Sequence, residues 1–574
     1  MKAAKHRPAK IEQAQPQSRL WVWALGGFAL LAALAAYWPA VNGPFVFDDE
    51  YLPFRDPGFL ESGIRSLSPT ARPLMNLSFW LNLKFFGSEP FSYHVVNILL
   101  HFVNGGLVFL AIRKILEMAK VEESRRMPLA VFAAGVFLLH PVQAESVAYV
   151  AGRSESFSLV FFLSSFTLFL YKREGGIGWL PAMGVIALFG CAFLSKEHTA
   201  VLPALLLWTD WWFAEKRAWD AVRANWRLYA PMAAMSAAGV WVVWRVLMAA
   251  NTAGFGMKNL TWYEYFYTQW RAVWVYLRLF VLPVGLNADY GFPISRTPLE
   301  HGSLVGLLAL AALVGVAFHY RKRFPLAFYG LVVFLLLLAP TSSIVPIKDA
   351  VAERRLYLPF AGLLLVVCDF ARGLTISRGS QLAAGGILLI LGGLTHARAE
   401  VWSDPVRLWQ DTIARSPGNS RAHFHLAMVY FEQQRYEEAL KKFEDAAQTG
   451  QTEYTYTLLI DWGLTYDALG RTEKALEKFR AAAKIENTAH AHSLIGMCLA
   501  KLKEPGAALE ELDRAIALDP GYDNGYTYRG NVYRMLNELE RAEKDYRKAL
   551  EINPNSEAAR QNLEAVVRQR GASR

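Results

Sequence analysis

The chain has 574 residues, 53% of them hydrophobic, and a mean hydropathy of +0.18. Soluble globular domains are about 45–50% apolar. Here the excess is confined to residues 20 to about 397, while the last third reads as polar, Ala-rich helix, so a single soluble domain is excluded and a two-part protein is implied. The net charge of +10 comes without the basic, aromatic-interleaved face that nucleic acid requires. Cys191, Cys368 and Cys498 lie in two apolar runs and one polar helix, which excludes a disulfide framework or a zinc site.

Residues 1–19 carry Lys2, Lys5, Arg7, Lys10 and Arg19 against Glu12, and an apolar run follows from Leu20 to about Val41. The run is long enough to span a bilayer and longer than the apolar core of a signal peptide. It is therefore expected to be a retained first helix with a cytoplasmic N-terminus. Further spans are expected near Phe91–Ile112, Leu129–Val147, Phe157–Tyr171, Trp179–Leu194, Ala200–Phe213, Tyr229–Met248, Ser303–Tyr320, Pro325–Pro340, Tyr357–Phe370 and Leu382–Thr395. Basic groups at Arg113–Lys114 and Arg125–Arg126, Lys172–Arg173, Lys216–Arg217 with Arg223 and Arg227, Arg321–Arg323, and Arg372 with Arg378 all fall on the cytoplasmic side if Tyr265–Leu286 does not cross. That segment carries Arg271 and Arg278 on one helical face. An unpaired Arg near the bilayer centre costs about 2.5–3.5 kcal/mol, so an amphipathic or re-entrant helix is expected there. The count is then about 11 spans.

After residue 415 the sequence repeats. Small residues recur at Ala427, Gly463, Gly496 and Gly530, and alanines at Ala439, Ala475, Ala508 and Ala542 and again at Ala446, Ala482, Ala515 and Ala549. Larger apolar residues keep the register at Phe443, Phe479, Leu512 and Tyr546, and Pro520 and Pro554 close two units. A period of about 34 residues with this alternation is the tetratricopeptide (TPR) signature. Trp409–Pro417 reads as a lone second helix and residues 555–571 as a polar cap. The fold expected is all-α: a polytopic helical membrane domain plus a C-terminal α-solenoid. The expected divisions are 1–19, a cytoplasmic basic N-terminus; 20–397, the membrane domain with outer loops 42–90 and 251–301; and 405–571, an extracytoplasmic repeat domain.

The first outer loop places Asp48, Asp49 and Glu50 together just past the first span. Like charges this close raise one another's pKa and can make one carboxylate a proton acceptor near neutrality; they equally suit a shared divalent cation such as Mg or Mn. A solvated acidic turn is the plainer reading of that stretch alone. Other polar groups lie at the same ends of spans: Arg72; His94, Asn97 and His101 on one helical face; His140, Glu145 and Arg153; Lys196 and Glu197; Asp289; and Glu353, Arg354, Arg355 and Tyr357. Ionisable groups at membrane depth are costly and usually functional. Arg153, Lys196, Arg354 and Arg355 escape the positive-inside bias, which suggests a bound anion, for which a lipid phosphate is the natural candidate. Glu–Arg pairs such as Glu353–Arg354 could instead neutralise each other structurally.

Seven stretches occur in order: Phe45-Val-Phe-Asp48-Asp49, Arg72-Pro73-Leu74, His94-Val-Val-Asn97 through His101, His140-Pro141-Val142-Gln143-Ala144-Glu145, Ala151-Gly152-Arg153, Lys196-Glu197, and Val351-Ala352-Glu353-Arg354-Arg355-Leu356-Tyr357-Leu358-Pro359. Together with the repeats they resemble the transmembrane TPR-containing O-mannosyltransferases, which have the GT-C glycosyltransferase fold. The resemblance implies a sugar donor carried on polyprenyl or dolichyl phosphate, and inverting transfer at the outer or luminal face to a Ser or Thr of an acceptor protein held by the repeats. It implies that Asp48 and Asp49 are catalytic, and it places the chain in a bacterial inner membrane or an ER membrane. An O-antigen-ligase-like oligosaccharyltransferase using a lipid-diphosphate oligosaccharide would carry its large outer loop late in the chain, whereas here the long loop with the acidic pair comes first. A non-catalytic membrane-anchored scaffold would need only one span.

Overall fold

The computed structural model describes residues 20–56, 58–63, 72–214, 218–249, 254–257, 259–450 and 455–572. The basic N-terminal segment 1–19, Lys216 and Arg217 lie outside the described residues. The chain forms two compact units. The first comprises residues to Leu286 and Pro293–Ser403; the second comprises Asn287–Phe292 and Asp404 onward.

Helices longer than seven residues are numbered here in chain order. In the first unit they are α1 (Leu20–Tyr37), α2 (Pro73–Phe86), α3 (Pro90–Met118), α4 (Glu123–Leu139), α5 (Arg153–Lys172), α6 (Trp179–Ser195), α7 (Leu202–Trp212), α8 (Trp226–Ala249), α9 (Trp262–Val281), α10 (Ser303–His319), α11 (Pro325–Leu338), α12 (Phe360–Ala371) and α13 (Arg378–Trp402). Among the described residues, five helical stretches are long and apolar enough to cross a membrane: Trp23–Asn42, Pro90–Met118, Val150–Lys172, Glu300–His319 and Arg378–Trp402. The bent pair Glu123–Leu139 and Pro141–Val147 makes a sixth if counted as one span, and α6, α11 and α12 are shorter apolar helices. This is a multi-pass membrane protein. Large apolar side chains such as Leu180, Leu308, Leu389 and Ile390 are exposed on these helices, the face that hydrocarbon covers in a bilayer.

Close packing comes from small residues. A Cβ on Gly105 of α3 would lie 2.5 Å from Leu138 of α4, and Gly330 of α11 and Gly362 of α12 each meet the other's helix backbone. Small residues at such crossings let helices approach where no hydrophobic effect drives them together. α9 is one continuous helix opened by the Thr261–Glu264 capping box. It buries Tyr265, Thr268, Gln269, Ala272, Tyr276 and Leu279 on one face. Its two arginines are satisfied locally: Arg271 donates to Ser295 Oγ and the Pro293 carbonyl, and Arg278 to the Val284 carbonyl.

The second unit holds α14 (Pro405–Arg415), the helix pairs α15 (Ser420–Glu432) with α16 (Tyr436–Gln448), α17 (Thr455–Ala468) with α18 (Thr472–Ile485), α19 (Ala489–Lys501) with α20 (Pro505–Leu518), α21 (Asp523–Met535) with α22 (Leu539–Ile552), and the closing α23 (Glu557–Ala572). Three of the four pairs pack a glycine against a large residue 16 positions later. A Cβ on Gly463, Gly496 or Gly530 would lie 2.5, 2.6 or 2.7 Å from Phe479, Leu512 or Tyr546. The periodicity read from the sequence is thus the packing code of the solenoid.

Asn287–Phe292, from the second large loop, packs with the repeats. Asp289 pairs with Arg421 at 2.5 Å, Asn287 donates to Ser416 Oγ, and Ser416 and Asn419 donate to the carbonyls of Tyr290 and Asp289.

Candidate active site

The site is built from helix ends. Proline breaks three of them. His140 precedes Pro141 and is extended, so α4 stops there and the chain turns by 49° into Pro141–Val147. Arg72 precedes Pro73 and is non-helical, and Pro90 opens α3. Gly152 lets the chain fold back tightly, since a Cβ there would lie 2.6 Å from the Glu145 carbonyl.

The acidic turn follows α1. Phe47 adopts φ +55°, a left-handed conformation that is uncommon and strained for a bulky residue. Surrounding contacts hold it. Buried Asp49 accepts the Val46 N–H at 3.1 Å on one oxygen and the Ala151 N–H at 2.7 Å on the other, closing the turn onto the segment before α5. Burial pushes the Asp49 carboxyl up to about 8, against these two bonds that favour the charged form. Asp48 is exposed. Its N–H donates to the Tyr149 hydroxyl at 2.9 Å, and its carboxylate takes no hydrogen bond or ion pair among the described residues. Tyr149 is buried. Burial, then Asp48 and Asp49, push its phenol well above the ordinary value, while Arg354 pulls it down. Tyr149 therefore stands in the fields of the acidic turn and of a cation.

That cation belongs to a cluster. Lys196 pairs with Glu155 and donates to Ser154 Oγ at 3.0 Å; His198 lies 3.7 Å from the same carboxylate. Burial drives the Lys196 ammonium down to about 8; Glu155 opposes this, and Arg72 and Arg354 reinforce it. Burial likewise takes His198 to about 4, so its imidazole is neutral. Arg72 makes a two-pronged bond to Glu197 at 3.1 and 3.2 Å. Burial raises the Glu197 carboxyl, but Arg72 outweighs it and leaves it below the usual range. Arg354 donates from its side chain to Glu145 and lies 3.3 Å from Asp349, and its own N–H reaches Glu145 at 2.8 Å. The side chains of Arg72 and Arg354 are 36% and 22% exposed, so both remain within reach of an incoming anion.

The remaining expected residues take other places. Arg153 is fully enclosed, stacked against Phe79 and Tyr93 and donating to Asn97 Oδ1, Asn82 Oδ1 and the Tyr93 carbonyl. It ties α2, α3 and α5 together and presents nothing to a donor phosphate, which corrects the expectation drawn from its charge. Arg355 is also buried, donating to Tyr265 Oη and the carbonyls of Ala350 and Asp349, so it fixes a loop. Asp289 belongs to the repeat unit with Arg421. The loop that bears it folds onto Ser416–Arg421. Glu50 pairs with Arg55, and Glu353 faces Arg398 at 3.9 Å.

His94, Asn97, His101 and His140 are buried. His94 donates to the Gly43 carbonyl, holding the start of the acidic loop, and Asn97 donates to the Tyr149 carbonyl. His101 Nε2 donates to the Leu138 carbonyl and its Nδ1 accepts from Tyr357 Oη; His140 does the same between the Phe280 carbonyl and the Val142 N–H. With one nitrogen donating and the other accepting, each ring is a neutral tautomer.

A divalent cation fits poorly. Both Asp49 oxygens already accept backbone N–H groups, and no group of three or more His, Cys, Asp or Glu among the described residues is arranged to hold a metal.

Sequence reasoning missed Tyr149, Glu155 and Asp349, while His198 was noted beside Lys196 and Glu197. Glu155 and Asp349 were legible only as carboxylates near cations, and nothing in the spacing marks Tyr149.

A tetratricopeptide-repeat family model matches residues 393–453 and 460–523, and a second tetratricopeptide-repeat model matches 524–556. The chain is 26% identical over 423 residues to a protein O-mannosyl-transferase of Caenorhabditis elegans, covering 69% of this chain and 58% of that one. It is 24% identical over 554 residues to the protein O-mannosyl-transferase TMTC3 of Mus musculus, covering 86% and 58%. It therefore spans about 58% of the length of these relatives. Their names match the family resemblance drawn from the sequence motifs. Among solved structures, the TPR protein YrrB aligns at 22% identity and a TM-score of 0.25 over 32% of this chain and 89% of that one.

Proposed function

We propose that this chain is a protein O-mannosyltransferase that moves mannose from a polyprenyl or dolichyl phosphate to a Ser or Thr hydroxyl of an acceptor protein. The observation that carries the reading is the exposed Asp48 carboxylate beside Tyr149, whose hydroxyl also feels Arg354 of the Arg72–Lys196–Arg354 cluster. A free carboxylate and a group of reachable cations are the two things that transfer from a glycosyl phosphate requires.

An alcohol is a weak nucleophile, and a carboxylate within hydrogen-bond reach removes its proton as the new bond forms. Asp48 takes the proton of the acceptor hydroxyl. The hydroxyl oxygen bonds the anomeric carbon from the face opposite the phosphate, and the carbon–oxygen bond to the lipid phosphate breaks with its electrons on the phosphate. One displacement inverts the centre. Arg72, Lys196 and Arg354 neutralise the charge that develops on the departing phosphate. Asp49 holds the turn, and His94 holds the start of the loop that bears it through the Gly43 carbonyl. The repeats hold the acceptor, as solenoid grooves bind extended or helical peptides. The positive-inside pattern supports a cytoplasmic N-terminus, with the polar cluster and repeats on the opposite side.

The test is purified chain in nanodiscs given polyprenyl-phosphate mannose or a lipid-diphosphate oligosaccharide, with extracytoplasmic protein as acceptor and mass spectrometry of the product. Hexose on Ser or Thr from the monosaccharide phosphate alone is the expected result. Transfer only from the diphosphate, or from neither, would overturn the reading.

A further inference from the structure

We infer that Tyr149 and Trp402 are positioning residues that hold Asp48 in its working place; this rests on the reading of Asp48 as the base. Neither residue lies in a motif that carries the family resemblance.

The turn before Asp48 does not hold itself. Phe47 sits at φ +55°, a region a bulky side chain leaves unless its surroundings prevent it. Asp49 anchors the turn on one side through the N–H groups of Val46 and Ala151. Tyr149 anchors it on the other side twice. Its hydroxyl oxygen accepts the Asp48 N–H at 2.9 Å, and its ring stacks on Phe47 with centroids 6.3 Å apart and planes 24° apart.

The Tyr149 ring in turn stacks on the Trp402 indole, at 5.2 Å and 27°. Both rings are 2% exposed. The indole N–H has no hydrogen-bond partner among the described residues, although a buried Trp usually finds one. The ring is therefore placed by packing against Tyr149 and not by its polar edge.

Trp402 is itself fixed, because the last turns of α13 touch several segments of the site. Thr395 donates to the Leu139 carbonyl, His396 bonds the Ala35 carbonyl, Arg398 faces Glu353, and the Ser403 Cα lies 3.1 Å from where a Cβ on Gly43 would stand. A rigid helix end thus locates an indole, the indole locates a phenol, and the phenol locates the backbone of Asp48.

The test uses the full chain in nanodiscs, with polyprenyl-phosphate mannose as donor and extracytoplasmic protein from cells lacking this chain as acceptor. Tyr149→Phe keeps the ring and removes only the oxygen. Loss of a single neutral hydrogen bond that places a reacting group corresponds to a fall in kcat of about tenfold, with the donor KM unchanged. Trp402→Phe keeps an aromatic surface and stays within about twofold of the parent. Trp402→Ala loses between about tenfold and a hundredfold, the scale of a misplaced catalytic group. In an Asp48→Asn background, Tyr149→Phe adds no further loss, because both act through the same carboxylate. If Asp48→Asn is inactive but Tyr149→Phe turns over at the parental rate, or if its effect falls on the donor KM alone, the inference is overturned and the base assignment stands. If Asp48→Asn is fully active, the base assignment fails and the inference fails with it. Should Trp402→Ala not fold, the conservative Tyr149→Phe and Trp402→Phe decide the matter.

Discussion

Donor binding should depend on pH through Lys196. Burial takes its ammonium from the ordinary 10.5 to about 8, despite Glu155, a shift on the order of 3 kcal/mol. The sign follows directly: the cation is present below about 8 and lost above it. In the free enzyme about nine-tenths of the sites carry the charge at pH 7 and about one-tenth at pH 9. A charge-assisted hydrogen bond to phosphate is worth about 1.5–3 kcal/mol, so removing it weakens donor binding by roughly tenfold to a hundredfold. The assay is the donor KM of purified chain with polyprenyl-phosphate mannose between pH 6.5 and 10. The parent should show a rise in KM that begins near pH 8. Lys196→Arg keeps a permanent charge and should show a flat profile over the same range, whatever its baseline. An identical rise in Lys196→Arg would refute the reasoning and transfer the titration to another group, Asp49 being the nearest alternative because it also lies near 8.

Replacing Arg153 by Met should destabilise the membrane unit, because Asn97 Oδ1, Asn82 Oδ1 and the Tyr93 carbonyl each lose a donor. At about 1–3 kcal/mol per buried unsatisfied group, a clear fall in the thermal unfolding midpoint is expected, and a donor KM that rises with no loss of stability would contradict the structural role. Gly43→Ala drives a Cβ to 3.1 Å from Ser403 Cα and from the Ala40 carbonyl; it should lower kcat more than it alters the donor KM, as steady-state kinetics would show. Gly530→Ala places a methyl 2.7 Å from the Tyr546 ring, an overpacking that costs about 1–3 kcal/mol. Hydrogen exchange should show the loosening within α21 and α22 and leave the membrane unit unchanged.

The repeats were the most legible part of the chain because their packing code is local. Gly463 meets Phe479 within one helical hairpin, so a fixed spacing in sequence is a fixed contact in space. The membrane unit was legible in outline from its apolar runs, yet Leu202–Trp212, Pro325–Leu338 and Phe360–Ala371 are shorter than a full span, and apolar length alone does not fix a boundary.

In the site, the sequence motifs at Arg72, His140, Glu145 and Lys196 fall at helix ends and turns, where backbone constraint shows in sequence. Charge partnerships were not legible. Arg153 reads as a free cation, but its partners are two aromatic rings and three neutral acceptors from distant helices. Asp289 reads as a loop acid near the membrane unit, but its partner Arg421 lies 132 positions away in the repeats. Tyr149 is invisible in the same way, because its importance arises from Phe47, Asp48 and Trp402, which only the fold brings to it.

The most direct measurement is single-turnover transfer by Asp48→Asn in nanodiscs, with bound polyprenyl-phosphate mannose quantified in the same sample. If Asp48 is the base, the donor binds as in the parent and transfer falls by at least about a hundredfold, the usual contribution of a positioned base. Parental transfer by the variant would show that the acidic turn does not carry the chemistry.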